Sequence, residues 1–182
     1  NFAKELIRIN NKISFYFTEH SKKLFASTNK LIKKISKNKF FSHNGTIESS
    51  IKNSKFNNFD AVSLLWTLCN CVDPINVLKS IHGSLKKDGL ILISESSRIL
   101  VPFKKPIYNF FVSKYETKNS HAWYFSYNSL SNLLEISGFR IIDCNRFYDE
   151  NDLVIVAKKI NKKNHKPNIK IDNYKKVLKY LK

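Results

Sequence analysis

The 182-residue sequence contains no methionine, only four glycines and only three cysteines. Cys69, Cys71 and Cys144 form neither a disulfide framework nor the two-residue-gapped pairs typical of structural zinc, so we expect free thiols and no metal site. The longest apolar run, residues 61–68, is far shorter than the roughly 20 residues that a membrane-spanning helix requires. The sequence shows no export signal either, and a cytoplasmic location is therefore the expectation.

The net charge of +18 is concentrated at the two ends of the chain. Residues 1–42 carry ten Lys or Arg against two acids, residues 158–182 carry ten against one, and the middle is nearly balanced. Only four basic residues are arginine, whose planar fork suits phosphate and base recognition, so nucleic-acid binding stays a minor alternative. We predict one domain, residues 1–159, followed by a loosely held basic tail, residues 160–182.

Hydrophobic spacing in the first third of the chain alternates between helical and extended patterns. It predicts a helix over residues 1–11, a strand over 13–17, an amphipathic helix over 21–37 and a short strand over 39–42. The middle of the chain continues this alternation. Residues 59–68 and 90–94 are the nearly continuous apolar runs of buried parallel strands. Between them, Asp73 and Pro74 are typical of a helix start, and Gly89 of a helix end.

Residues 97–123 are rich in aromatic side chains and lack a regular period, which suggests a substrate-facing insertion. A helix is predicted from Ser126 to Ser137, with Gly138 ending it. Residues 139–147 and 153–158 then read as two strands of an antiparallel hairpin. The order of strands and helices predicts a parallel sheet covered by helices.

The segment Phe59 to Glu95, FDAVSLLWTLCNCVDPINVLKSIHGSLKKDGLILISE, resembles the fourth strand, helix and fifth strand of class I S-adenosylmethionine-dependent methyltransferases. The stretch from His121 to Phe139 and the C-terminal hairpin are similar to the last part of the same domain, and the three pieces cover about half of the chain. The resemblance implies an α/β, Rossmann-like three-layer sandwich with a mostly parallel sheet and an antiparallel C-terminal strand. It also implies S-adenosyl-L-methionine as cofactor.

The same resemblance implies which residues bind the cofactor. Glu19, at the end of the second strand of that fold, takes the acidic position assigned to the ribose hydroxyls, because a carboxylate can accept two hydrogen bonds from a vicinal diol. An exposed acid at a strand end is the alternative. The remaining implied contacts are the adenine-edge residues Thr46, Ile47 and Glu48 and the strand-tip residues Leu65 and Trp66. For Trp66, a place in the core is the alternative.

No glycine precedes Gly45, although a cofactor loop of this kind needs glycines after its first strand. We therefore expect the first strand and its glycine loop to lie upstream of Asn1. The chain would then be an N-terminally truncated fragment that binds cofactor poorly and catalyses little. A degenerate domain that has lost the loop is the alternative.

The resemblance implies methyl transfer to a small-molecule acceptor, for which the protein supplies positioning and a general base. The predicted catalytic residues are His121, as base, and Tyr124. Tyr127, Arg98 and Arg146 are predicted to bind the acceptor, and with Lys104 the arginines would suit an anionic sugar or nucleotide sugar. The segment around His121 resembles the histidine-containing segment of sugar C-methyltransferases, without the glycine-rich signature that follows there.

Two other classes of function stay open at this point. One is a non-catalytic methyltransferase-like partner subunit, which would keep the fold and lose the cofactor contacts. The other is a basic nucleic-acid-binding protein or RNA methyltransferase, which predicts strongly salt-dependent binding. The sequence carries no signal for an oligomeric state.

Overall fold

The computed structural model describes residues 2–36, 38, 40–53, 55–96, 122–145, 152–161 and 166–176. The chain forms two compact units, Asn1–Phe56 and Asn57–Lys182. Among the described residues, no helix combines the length and apolar character needed to cross a membrane. The same residues contain no cluster of three or more potential metal ligands.

The first unit alternates helices with two parallel strands. Its elements are α1 (Phe2–Ile9), β1 (Phe15–Glu19), α2 (Lys22–Ile35), β2 (Phe40–Asn44) and α3 (Ile47–Ser50). Strand β1 pairs with β2 so that Glu19 lies opposite Asn44, and both strands therefore end at the same edge. Helix α2 begins where the Ser21 side chain accepts a hydrogen bond from the Leu24 amide. Both strands extend about two residues beyond their predicted ends. The two helices predicted before and after β1 are confirmed as α1 and α2.

The second unit contains a four-stranded sheet. Its elements are β3 (Phe59–Leu65), a 3-10 turn (Leu68–Asn70), α4 (Pro74–Ser84), β4 (Leu85–Ser96), α5 (Tyr127–Ser137), β5 (Phe139–Cys144) and β6 (Asp152–Lys159). The strand order is β3-β4-β6-β5, in which β3 is parallel to β4 and β6 is antiparallel to both of its neighbours. The α/β class and the reversed last strand are thus confirmed.

Both helices of the second unit begin where the sequence predicts, and α5 also ends there. The Asp73 carboxylate accepts a hydrogen bond of 2.9 Å from the Asn76 amide, and Pro74 occupies the first turn of α4. At α5, Ser126 and Ser129 form a reciprocal capping box. Gly138 then adopts a left-handed φ of 93°, which a residue without a side chain reaches at little cost, and so ends the helix.

The prediction that the helix after Pro74 continues to Gly89 is wrong, because α4 ends at Ser84 and β4 begins at Leu85. Residues 85–89 have partners on other elements that a helix would not reach. The Lys159 ammonium donates to the Leu85 carbonyl at 2.6 Å, and Lys86 pairs with an aspartate of β3. Such tertiary contacts outweigh the modest helix propensity of a Leu-Lys-Lys run.

The core of the second unit lies where α4 and α5, which contact each other, cover the sheet. Its fully buried apolar side chains come from both helices, the 3-10 turn and three strands, and include Leu78, Ile81, Leu130, Leu134, Leu68, Ile91, Ile93, Phe139, Leu153, Ile155 and Ala157. From Asp152 to Lys158 of β6, buried and half-buried residues alternate, as expected for a strand with one face on the core.

Within the described residues, β1 pairs with β2 in the first unit, and β3, β4, β6 and β5 form the sheet of the second unit. No strand within the described ranges pairs with the second edge of β1 or of β3. The parallel pairing of residues 61–65 with 90–94 is confirmed.

Part of the basic tail is hydrogen-bonded to α5, although the sequence suggests a loosely held segment. Asn132 accepts from the Lys170 amide at 2.9 Å and donates to the Lys170 carbonyl at 2.7 Å. The Asp172 carboxylate accepts from the Asn128 amide group at 2.7 Å and from the Ser126 hydroxyl. Residues 170–172 therefore lie along the start of α5.

Candidate functional site

Glu19 lies at the carboxyl end of β1, the edge at which open parallel sheets bind ligands. Its side chain is half-buried, and Oε1 accepts a hydrogen bond of 2.8 Å from the Ser21 amide at the start of α2. No residue in the part of the chain that the structure describes bonds to Oε2. One carboxylate oxygen is thus fixed by the helix start, and the other is available to a ligand hydroxyl.

The loop after β2 is held against Glu19 by its backbone. The Gly45 amide donates to the Glu19 carbonyl at 3.1 Å, and the Thr18 hydroxyl donates to the Gly45 carbonyl at 3.2 Å. A Cβ added at Gly45 would lie 2.6 Å from Ser49 Oγ and 2.7 Å from His43 Nε2, which themselves are hydrogen-bonded. The close approach at Gly45 brings the following residues to the Glu19 edge.

The three predicted adenine-edge residues follow Gly45 directly but differ in exposure. Thr46 is exposed, and its hydroxyl accepts from the Ser49 amide at 3.3 Å as the cap of α3. Glu48 is half-buried, whereas Ile47 is only 7% exposed. The structure therefore brings Glu19 and residues 46–48 together within the first unit, with little of the Ile47 surface left for a ligand.

Trp66 lies at the carboxyl end of β3 in the second unit. It is 58% exposed, which excludes the alternative of a core tryptophan, and the preceding Leu65 is exposed as well. The backbone of Trp66 has a left-handed φ of 49°, a conformation that costs a bulky residue on the order of 1–3 kcal/mol. Its indole Nε1 donates to Asp152 Oδ1 at 3.2 Å. Strain of this kind at an exposed aromatic residue is typical of a functional position.

Glu95 was not among the predicted site residues, but its carboxyl accepts hydrogen bonds from the turn that follows Trp66. Its Oε1 accepts from the Thr67 amide at 3.1 Å and from the Leu68 amide at 2.7 Å. Burial raises the pKa of the Glu95 carboxyl above its ordinary value. Burial, together with the adjacent Glu95 carboxyl, also raises the pKa of the Cys69 thiol, which therefore stays protonated.

Trp123 attaches the segment before α5 to the same turn. Its amide donates to the Cys69 carbonyl at 3.0 Å, and its indole Nε1 donates to the Cys71 carbonyl at 2.9 Å. Tyr124 and Tyr127 follow and are both half-buried. Trp123, directly before Tyr124, is thus bonded to the turn that follows Trp66. The only sequence signal for Trp123 was its place in the aromatic stretch that resembles methyltransferases.

Four predicted acceptor-side residues lie outside the described residues, namely His121, Arg98, Arg146 and Lys104. Their roles stay predictions. The described candidates form two groups: Glu19 with residues 46–48 in the first unit, and Leu65 and Trp66 with Tyr124 and Tyr127 in the second.

Comparisons with known proteins identify the family and the fold. Residues 6–143 match the family model described as "Methyltransferase domain". No curated protein sequence matches the chain.

Solved structures share the fold at low sequence identity. LaPhzM is 13% identical over 87% of this chain and 46% of its own, with a TM-score of 0.63. An O-methyltransferase family protein from Burkholderia thailandensis is 9% identical over 88% and 48% of the two chains, with a TM-score of 0.67. A SAM-dependent methyltransferase from Methanosarcina mazei is 15% identical over 87% of both chains, with a TM-score of 0.56.

The chain spans about half the length of LaPhzM and of the Burkholderia protein, and most of the Methanosarcina protein. The family model, by contrast, covers well over half of this chain. Because the family model covers residues 6–143, the chain belongs to the methyltransferase-domain family, and it shares the fold of these solved methyltransferases.

Proposed function

We propose that this chain binds S-adenosylmethionine through Glu19 and supports methyl transfer to a small-molecule acceptor. The observation that carries the proposal is the half-buried Glu19 carboxylate at the end of β1, with Oε1 bonded to Ser21 and Oε2 available. The family membership favours this cofactor.

The chemistry of the Glu19 edge suits a ribose. A carboxylate whose one oxygen is fixed by a helix-start amide presents its other oxygen in a defined direction, and a ribose hydroxyl can donate to it. A hydrogen bond to a charged group contributes about 1.5–3 kcal/mol, which corresponds to roughly a tenfold to hundredfold change in affinity. Exposed Thr46 lies on the adjoining loop, where its side chain can meet the base of the nucleoside.

The acceptor side is proposed from the segment that precedes and begins α5. When bound, the cofactor supplies an electrophilic methyl group on sulfur, and an acceptor hydroxyl must give up its proton as the new bond forms. We place His121 as the group that accepts this proton, with Tyr124 and Tyr127 orienting the acceptor. The half-burial of both tyrosines and the attachment of their segment to the Trp66 turn support this assignment. Arg98 and Arg146 would pair with an anionic acceptor such as a nucleotide sugar.

Titration calorimetry with S-adenosylhomocysteine on the full-length protein tests the cofactor site. Glu19→Ala is expected to weaken binding about tenfold to a hundredfold. Glu5→Gln is the matched control, because it removes the same charge from an exposed ion pair with Arg8 on α1. Wild-type protein that binds no S-adenosylhomocysteine would contradict the proposal and favour the non-catalytic partner subunit.

A second experiment addresses the acceptor. In a methyl-transfer assay with nucleotide sugars, His121→Gln should lower kcat by about a hundredfold or more, as expected for loss of a general base. Arg98→Ala and Arg146→Ala should instead raise KM for the anionic acceptor. Unchanged kinetics in both arginine variants would remove the anionic acceptor from the proposal, and unchanged kcat in His121→Gln would remove the base.

A further inference from the structure

Glu95 is the one charged side chain among the fully buried residues of the described chain, with 0% of its surface exposed. It lies near the end of β4, opposite the buried Leu153 of β6. Removing a carboxyl group from water is costly unless hydrogen bonds replace the lost solvation. Hydrogen bonds to Glu95 must therefore offset this desolvation cost, and the groups that donate them all belong to the turn after β3.

Three consecutive amides of that turn are bonded to the last residues of β4. The Trp66 amide donates to the Ser94 carbonyl at 2.8 Å, and the next two amides, of Thr67 and Leu68, donate to Glu95 Oε1 at 3.1 and 2.7 Å. Ladder pairing alone accounts for the first of these bonds, because it continues the β3–β4 register. The other two bonds depend on the Glu95 side chain, because its Oε1 is the acceptor of both.

The turn that Glu95 holds has an unfavourable backbone. Trp66 adopts a φ of 49°, which a side chain of its size avoids unless the surrounding contacts impose it. The indole is anchored separately, through its Nε1 to Asp152, and most of the ring stays exposed. Glu95 fixes the backbone on one side of Trp66, and Asp152 fixes the ring.

We propose that Glu95 is a positioning residue, whose buried carboxyl holds the Thr67 and Leu68 amides and thereby keeps Trp66 in the strained conformation that exposes its ring at the strand tip, where the resemblance to methyltransferases implies a cofactor contact. The effect on the cofactor rests on the proposed function, whereas the effect on the turn does not.

The same turn gives the proposal a second consequence. Trp123 donates to the Cys69 and Cys71 carbonyls, so a turn fixed by Glu95 also fixes the start of the segment that carries Tyr124. The second oxygen of Glu95, Oε2, is buried and accepts no hydrogen bond from the described residues, while the Cys69 thiol and amide interact with the carboxyl. The Thr67 and Leu68 bonds both fall on Oε1, and a glutamine side chain also has one such oxygen.

The test compares Glu95→Gln with Glu95→Ala in the full-length protein. Glutamine keeps the volume and one oxygen that can accept both amides, whereas alanine removes the acceptor. The readouts are the Trp66 indole N–H resonance in a ¹⁵N-labelled sample, assigned with Trp66→Phe, and the affinity for S-adenosylhomocysteine. We expect Glu95→Ala to shift the Trp66 resonance and weaken the affinity by about tenfold or more, and Glu95→Gln to restore both to nearly the wild-type values.

Three outcomes would overturn the proposal. They are an unchanged Trp66 resonance in folded Glu95→Ala, a Glu95→Gln variant as impaired as the alanine variant, and a shifted resonance with unchanged affinity. If Glu95→Ala does not fold, Glu95→Asp replaces it, because a carboxyl one methylene shorter cannot reach both amides. Wild-type protein that binds no S-adenosylhomocysteine would refute the proposed function, and the indole resonance would still decide whether Glu95 holds the turn.

Discussion

The two units of the chain build the same kind of structure, strands joined by helices, on very different cores. In the first unit, the buried apolar residues among those described are Ile7, Ile32 and Ile47, and all five residues of β1 are half-buried. In the second unit, two helices and three strands share a set of completely buried side chains, and burial alternates along β6 from Asp152 to Lys158. Since apolar burial is the main source of stability, the second unit is expected to be the more stable one by itself.

This difference separates the two candidate groups of site residues. Glu19 and its neighbours lie on a unit with few buried contacts, which favours local opening and adjustment to a ligand. The turn of Trp66 lies on the well-packed unit and is held by hydrogen bonds from β4 and β6. We therefore expect the Glu19 edge to adjust to a ligand more readily than the turn of Trp66 does.

The largest predicted effect tests where the stability resides. Leu134 in α5 is 0% exposed, so Leu134→Ala should lower the free energy of unfolding by about 2–5 kcal/mol, through lost burial and the cavity left behind. Urea unfolding followed by circular dichroism measures this. Ile136→Ala, on the same helix but 45% exposed, is the control and should change stability far less.

Ile32→Ala extends the same test to the first unit. Ile32 is almost fully buried in α2, but its surroundings are mostly half-buried and can relax around a smaller side chain. Ile32→Ala should therefore lower the free energy of unfolding by an amount at or below the lower end of the range given for Leu134→Ala. A larger loss for Ile32→Ala than for Leu134→Ala would reverse the comparison between the units.

The next prediction concerns the pH dependence that Glu95 gives to the second unit. Because burial raises the pKa of Glu95, the folded state binds its proton more tightly than the unfolded state does. Stability from this group therefore falls as the pH rises above about 4, the ordinary range of a glutamate, and keeps falling until the folded-state pKa is passed. The neighbouring Cys69 thiol stays neutral in this window, because its own pKa is raised.

Glu95→Gln removes that titration without removing the acceptor. Urea midpoints of the two proteins between pH 4.5 and pH 8 should show the wild type losing stability relative to Glu95→Gln as the pH rises. A constant difference across the range would mean that the Glu95 carboxyl does not titrate differently in the folded protein.

A smaller effect is expected from the tail. Asn132→Ala removes two hydrogen bonds to Lys170 and should cost about 1–2 kcal/mol. Asp172→Ala removes the bonds to Ser126 and Asn128 and should cost a similar amount. Since both variants release the same segment from α5, the double variant should cost less than the sum of the two, which a double-mutant cycle measures. Strict additivity would indicate that residues 170–172 do not dock as one segment.

Much of the second unit could be predicted because its signals are local. The caps at Asp73 and Ser126, the stop at Gly138 and the apolar runs of β3 and β4 each need only neighbouring residues to be interpreted. The end of α4 could not be predicted, since Lys159 and Asp60, which stabilise the extended conformation of residues 85–86, lie on other strands.

The positions of two candidate site residues in the fold could be predicted as well, while their roles stay predictions. Glu19 and Trp66 stand at strand ends, which the apolar pattern marks, and the structure places both there. Glu95 reads in the sequence as an acid that ends a strand, and its buried partners lie 27 and 28 residues earlier in the chain. A pattern within one segment cannot reveal such a contact.

The smallest predicted effect comes from the exposed ion pair between Lys158 and Asp88, whose atoms lie 3.0 Å apart at the start of β4. The hydrogen bond from Lys158 lowers the pKa of Asp88 below its ordinary value. The stability it contributes is thus present above about pH 4 and is lost as the pH falls below that, the opposite sign to Glu95. Asp88→Asn is the variant of choice, because asparagine tolerates the left-handed backbone at this position, where φ is 62°.

The difference in stability between the wild type and Asp88→Asn then has a pH-dependent part that reports the ion pair alone. It should be small, should shrink as the pH is lowered from 6 to 3, and should be weaker at high salt, because exposed pairs are screened. Urea midpoints at two ionic strengths measure it. If the difference grew towards low pH, the Asp88 carboxyl would not be stabilised by Lys158. The pH-dependent effect of Asp88→Asn should also be smaller than that of Glu95→Gln. A larger effect would mean that the exposed ion pair contributes more to the pH dependence of stability than the buried Glu95 carboxyl does, which would contradict the expected order.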